Sequence, residues 1–218
     1  MAETRRRMAP RPLLGLSHQP RGEELPINHL APAPPGPPAV DRRIGDVYLS
    51  AEEIRARVEG LGAEIAADYA GREPVLVASL KASFVFLADL SRALPIVHRV
   101  DFVELAGYGG RDAGGERAVR LLKDLDADIL DRDVLVVEDV VDTGLTLHYL
   151  TKSFALRSPR SLAVVTLLDR PYRRLVDDLP VRYVGFTAPD EFFVGYGFDL
   201  DERYRNLPSL HLVTTTEI

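Results

Sequence analysis

The sequence predicts an α/β domain built on a mostly parallel sheet flanked by helices. Three observations carry that expectation. Short β-branched runs alternate with helix-patterned segments from residue 51 to residue 168, the order that produces parallel strands with helices on both faces. Val134-Leu135-Val136-Val137 is apolar at every position, as a strand buried on both faces must be. Four unusual stretches, at Lys81, 106–116, 138–146 and Asp169-Arg170, each follow such a run. In a parallel sheet they gather at the carboxyl ends of the strands, where ligands bind.

The elements follow in order. Residues 1–43 hold nine of the sixteen prolines, and Ala31–Pro38 can form neither helix nor central strand. This region is expected to be a disordered extension, with the domain spanning 44–218. Val47–Leu49 reads as a short strand. Ser50 and Glu53 fit a capping box, and Ile54, Val58, Leu61 and Ile65 recur at helical spacing, so a helix is predicted over 51–70 with Gly71 at its C′ position. Val75–Leu80 reads as a buried strand. Lys81–Ser83 forms a turn, and Phe84–Leu94 a helix stopped by Pro95. Val97–Leu105 is a strand and Ala118–Leu122 its return. Five glycines among the eleven residues from Ala106 to Glu116 forbid a packed element and point to a lid. Then come Val134–Val137, a helix over about 144–156, and strands at Leu162–Leu168 and Val181–Phe186. Pro189–Tyr196 and Leu210–Thr214 read as short strands.

Composition narrows the function. A 46% apolar fraction supports one domain-sized core. The net charge of −6 disfavours a nucleic-acid-coating protein. With no cysteine there is no disulfide framework, thiolate metal site or cysteine nucleophile. No apolar run approaches a membrane span, and Arg5-Arg6-Arg7 is not followed by a signal-peptide h-region. A cytoplasmic protein with no membrane partner is expected.

Glu138, Asp139 and Asp142 place three carboxylates within five residues at the end of a core strand. Burying acids is costly unless they find partners. Adjacent Glu138 and Asp139 can accept hydrogen bonds from a vicinal diol or hold Mg²⁺. Residues 142–146 (Asp142, Thr143, Gly144, Leu145 and Thr146) offer backbone N–H groups and two hydroxyls at a helix N-terminus, a cradle for phosphate. Diol and phosphate together describe a ribose 5-phosphate. Two other readings compete. Asp142-Thr143-Gly144 matches the aspartic-protease signature, but no second Asp-Thr-Gly occurs. Helix capping by the acids accounts for one carboxylate and leaves two.

The stretch resembles the phosphoribosyl-diphosphate (PRPP) binding motif of type I phosphoribosyltransferases. Leu80–Leu90, Thr166–Pro171, Pro189–Asp199 and Tyr204–Pro208 narrow the resemblance to the hypoxanthine-guanine phosphoribosyltransferase family, over about residues 44–215 and in that family's order. The resemblance implies the type I phosphoribosyltransferase fold, with a small hood over a purine site. It implies purine salvage: transfer of the 5-phosphoribosyl group from PRPP to a 6-oxopurine base, with Mg²⁺, in a homodimer or homotetramer. It also implies residue roles. Glu138 and Asp139 would bind ribose hydroxyls and Mg²⁺, and Asp142 would be the general base or acid at purine N7. Residues 142–146 would hold the 5-phosphate. Lys81, Ala82 and Arg205 would bind pyrophosphate, and Gly107 and Tyr108 would belong to the lid. Arg170, Phe192, Phe193 and Asp199 would form the purine site, with Asp199 also serving a second Mg²⁺.

Three positions depart from the family's pattern. Ala82 stands where glycine is common in the pyrophosphate loop, and its Cβ makes unusual backbone geometry harder. Gly107 replaces a serine beside the lid tyrosine. Arg170 replaces the lysine that donates to the purine 6-oxo group, an exchange that keeps the charge but not the shape. Two rivals remain at this stage: a non-catalytic PRPP- or nucleotide-sensing module on the same fold, and an RNA-binding regulator, which the acidic charge disfavours.

Overall fold

A computed structural model of the chain describes residues 41, 43–107 and 119–214. The proline-rich extension and most of the glycine-rich stretch, Tyr108 included, lie outside the described residues.

A six-stranded sheet runs in the order β4-β3-β2-β5-β6-β7. Its strands are β2 (Val75–Leu80), β3 (Arg99–Gly107), β4 (Val119–Lys123), β5 (Asp133–Val141), β6 (Ser161–Asp169) and β7 (Val181–Thr187). All neighbouring pairs are parallel except β3 with β4. A second, antiparallel sheet joins β1 (Ile44–Leu49), β9 (Leu210–Val213) and β8 (Phe193–Val194). It combines the first and last strands of the domain, a pairing that local periodicity does not reveal.

The central strand explains the layering. Leu135 and Val137 belong to one core cluster, which includes residues of α1 (Ala51–Asp68) and α2 (Phe84–Ala93). Val134 and Val136 belong to the other, with residues of α3 (Leu145–Ala155). Successive residues point to opposite faces, so an uninterrupted apolar run is what two covered faces require. Each of these four side chains is fully buried, a burial that stabilises by roughly 1.5–3 kcal/mol per side chain.

Ser50 and Glu53 form the expected reciprocal capping box on α1. Its end differs from expectation. Asp68 is the last helical residue and Tyr69 the C-cap, so Gly71, with φ +72°, falls one position beyond C′. The turn there closes through Arg72 N donating to Tyr69 O at 2.9 Å. β5 is longer than its apolar core: the pairing with β6 continues to Val141 opposite Asp169. Glu138 and Asp139 are therefore strand residues, and the site begins inside the sheet. Of the predicted strand over Pro189–Tyr196 only Phe193–Val194 is strand, because Gly195, Tyr196 and Gly197 all have positive φ and turn the chain. A single 3₁₀ turn, Pro171–Arg173, was not foreseen.

Candidate active site

β5 places Glu138 and Asp139 on opposite faces of the sheet by its period of two, and each finds a serine there. Ser79, near the end of β2, donates its hydroxyl to Glu138 Oε2 at 2.6 Å. Ser83, at the N-cap of α2, donates to Asp139 Oδ1 at 3.1 Å and accepts from Asp139 N at 3.1 Å. Glu138 is buried and Asp139 half-buried. Burial, and then the Asp139 charge, push the Glu138 carboxyl up to about 8. Burial likewise raises Asp139, opposed by its hydrogen bond from Ser83. Neither serine was singled out from the sequence, though Ser83 ends the Lys-Ala-Ser turn and is fully buried.

Beyond the strand the chain turns through Gly144, whose φ of +80° lies in the left-handed region that glycine enters without a Cβ penalty. Gly144 caps α3 and makes no side-chain cap bond, so the first N–H groups of the helix are not consumed by a cap side chain. A cleft of about 120 Å³ lies here, lined by Glu138, Asp142, Thr143, Gly144 and Thr146 among others. A helix N-terminus whose first N–H groups have no capping side chain is suited to a phosphate.

Asp142 sits among arginines. Arg173 Nε lies 2.6 Å from Asp142 Oδ1, and Arg170 Nη1 lies 4.0 Å from it. That oxygen is nonetheless buried with no geometrically sound hydrogen bond. Arg173 also pairs with Asp190, while Arg174 donates to the Asp142 carbonyl at 3.0 Å and pairs with Asp169. Sequence reasoning passed over Arg173 and Arg174. Their signal was an Arg-Arg pair just past a strand end that carries three acids nearby.

The remaining predicted residues fall into two groups. Arg170 donates to the Glu191 carbonyl and stacks its guanidinium over Phe193, 5.4 Å from the ring centroid. Phe193 is buried, with Tyr48 at 4.8 Å and Phe198 at 6.5 Å between centroids. Its neighbour Phe192 is 73% exposed, so packing does not explain it. In the second group, Lys81 pairs with Glu202 at 2.8 Å, and Arg205 pairs with Asp199 at 2.9 Å and Glu202 at 3.1 Å. The peptide bond between Leu80 and Lys81 is cis. The Ala82 carbonyl comes so close to Gly197 that a Cβ there would lie 2.2 Å from it, which fixes glycine at 197 and brings the two loops together. Gly107 ends β3.

Among the described residues, no three His, Asp or Glu side chains converge as a metal cage. Mg²⁺ is commonly held by one or two carboxylates together with substrate phosphates. The Glu138–Asp139 pair fits that pattern, since a nearby cation favours the ionised form that burial opposes.

A family model for the phosphoribosyl transferase domain matches residues 46–202. The hypoxanthine phosphoribosyltransferase of Salmonella typhimurium is 49% identical over 165 residues, covering 75% of this chain and 92% of that protein. The hypoxanthine-guanine phosphoribosyltransferase of Mycobacterium tuberculosis is 45% identical over 170 residues, covering 75% and 83%. A crystal structure of a hypoxanthine-guanine phosphoribosyltransferase from Bacillus anthracis superposes with a TM-score of 0.73 at 46% identity, covering 78% of this chain and 99% of that one. With the sheet order, the paired acids of β5 and the glycine-capped cleft already in place, these likenesses assign the chain to the hypoxanthine-guanine phosphoribosyltransferase family.

Proposed function

We propose that this protein is a purine-salvage enzyme that transfers the 5-phosphoribosyl group of PRPP to hypoxanthine or guanine, giving IMP or GMP and pyrophosphate. The observation that carries the reading is the serine-anchored carboxylate of Glu138 lining the glycine-capped cleft at the start of α3, with the serine-anchored Asp139 next to it in β5. A diol-binding pair next to a phosphate cradle matches ribose 5-phosphate.

Glu138 and Asp139 take the ribose hydroxyls and are the residues that would hold Mg²⁺. When bound, Mg²⁺ supplies charge neutralisation at the leaving pyrophosphate. Residues 142–146 hold the 5-phosphate through backbone N–H groups and the Thr143 and Thr146 hydroxyls. Breaking the anomeric bond develops oxocarbenium character, as in glycoside cleavage. Lys81 and Arg205 stabilise the charge growing on pyrophosphate. Asp142 accepts or returns the proton at purine N7. Arg173, 2.6 Å from its Oδ1, orients it. Arg170 donates to the 6-oxo group, Phe192 stacks on the base, and the Phe193 backbone and Asp199 complete the purine site. Gly107 begins the lid that, with Tyr108, keeps water from the reacting centre.

Assembly as a homodimer or homotetramer is part of the proposal. No described helix is long and apolar enough to cross a membrane; a cytoplasmic setting is the reading that accompanies salvage.

The test is to mix the protein with PRPP, Mg²⁺ and each of hypoxanthine, guanine, xanthine and adenine, and follow nucleotide formation. Turnover with hypoxanthine or guanine is expected. PRPP binding without turnover on any base would replace the enzyme by a sensor.

A further inference from the structure

Both cations assigned to pyrophosphate are engaged by one carboxylate. Glu202 Oε2 lies 2.8 Å from Lys81 Nζ and Glu202 Oε1 lies 3.1 Å from Arg205 Nη2. The two cations come from different parts of the fold: Lys81 follows β2, while Arg205 lies in the turns before β9. Glu202 spans them with one oxygen on each.

Its position is built by the backbone. Asp201 and Glu202 both have left-handed φ, +54° and +61°, a conformation that non-glycine residues adopt only when their surroundings enforce it. The enforcing group is Asp199. Its Oδ2 accepts from Glu202 N at 2.9 Å, and its Oδ1 pairs with Arg205 at 2.9 Å. Arg205 is further fixed by donating to the Gly197 carbonyl at 2.8 Å. The Ala82 carbonyl is packed against Gly197, so the Lys81 loop and this turn are held in register.

We infer that Glu202 is an internal stand-in for pyrophosphate: it occupies Lys81 and Arg205 in the free enzyme, yields them when PRPP binds, and reclaims them as pyrophosphate leaves. The inference rests on the assignment of Lys81 and Arg205 to pyrophosphate. A carboxylate carries one charge and pyrophosphate several, so the ligand wins the exchange. The Glu202 and Lys81 side chains are 65% and 61% exposed, and exposed ion pairs are weak, so little opposes it. Glu202 is thus a positioning residue, acting through the two cations and not on the substrate.

The experiment uses the full chain with Mg²⁺ and inorganic pyrophosphate, titrated by calorimetry, alongside steady-state kinetics. Glu202→Gln is expected to tighten pyrophosphate and lower the KM for PRPP, each about threefold, the scale of one exposed ion pair. The KM for hypoxanthine and the Tm stay unchanged. Unaltered or weakened pyrophosphate binding would overturn the inference, as would a lowered Tm with unaltered affinity, the mark of a residue that only shapes the turn. Repeating the substitution in a Lys81→Met background separates the two levels. If Lys81→Met alone leaves pyrophosphate affinity unchanged, the assignment of the subsite fails, and the inference with it. If Lys81→Met weakens pyrophosphate but Glu202→Gln still tightens it threefold in that background, the effect is diffuse charge, and the stand-in alone is overturned.

Discussion

The acidic end of β5 and the turns between β8 and β9 face the same ligand in the proposed reaction, yet they are built by different physics. Glu138 and Asp139 are strand residues whose positions follow from sheet register, and each carboxylate is tied to a serine on a neighbouring element. The turn region has no such frame. Gly195, Tyr196, Gly197, Asp201, Glu202 and Tyr204 all have positive φ, and one exposed ion pair, Lys81 with Glu202, connects them to the Lys81 loop. The first region cannot move without breaking the sheet; the second can exchange partners at small cost. A transferase needs both properties, a fixed grip on the sugar it keeps and a releasable grip on the groups that come and go.

If that contrast is right, the largest effect of a small change falls on the rigid side. Asp142→Asn keeps the shape and removes the proton acceptor, so kcat should fall by about 10²–10⁴-fold, the usual worth of a positioned general base. PRPP affinity, measured in the absence of base, should change little. Equal losses in affinity and kcat would mean that Asp142 serves the phosphate cradle alone.

A second test uses the burial of the acids. With Glu138 raised to about 8, the folded state keeps a proton there that the unfolded chain releases near pH 4.5. The folded state then binds more protons between those values, so stability falls as pH rises across that window and is flat above it. The loss is on the order of a few kcal/mol. Glu138→Gln should flatten the dependence of Tm on pH between about 5 and 8 in ligand-free protein. Asp139, also raised by burial, leaves a smaller slope, and a slope undiminished in the variant would assign it to another group.

The same contrast explains what could be read in the sequence. Strands β2, β5 and β6 were legible because both-face burial demands unbroken apolar runs, and the site acids stood out because carboxylates at the end of such a run need a reason. Helix α1 was legible from its capping box. The Ser79 and Ser83 anchors were hidden, since serine at a strand end or helix start is ordinary and only the pairing of β2 with β5 makes them neighbours. The β1-β9-β8 sheet was hidden because it joins segments more than 140 residues apart, beyond any local period. Arg173 was hidden by the unforeseen 3₁₀ turn. Tyr108, which the resemblance assigns to a lid, lies outside the described residues.

The smallest expected effect sharpens the comparison on the exchangeable side. Phe192 and Phe193 are adjacent, yet one is 73% exposed and the other buried beneath Arg170 and beside Tyr48. Phe193 opens β8 with its ring in the core, whereas Phe192 lies just before the strand and is left exposed. An exposed ring contributes little to folding, so Phe192→Ala should leave Tm within about 1 °C of wild type. A base stacked on an aromatic ring gains about 1–3 kcal/mol. The KM for hypoxanthine should therefore rise roughly 5- to 100-fold, with the KM for PRPP unchanged. Phe193→Ala should do the reverse in kind, lowering Tm through the cavity it leaves. If Phe192→Ala instead lowers Tm and spares the hypoxanthine KM, the outward ring is a packing residue and the base is held from Arg170 alone.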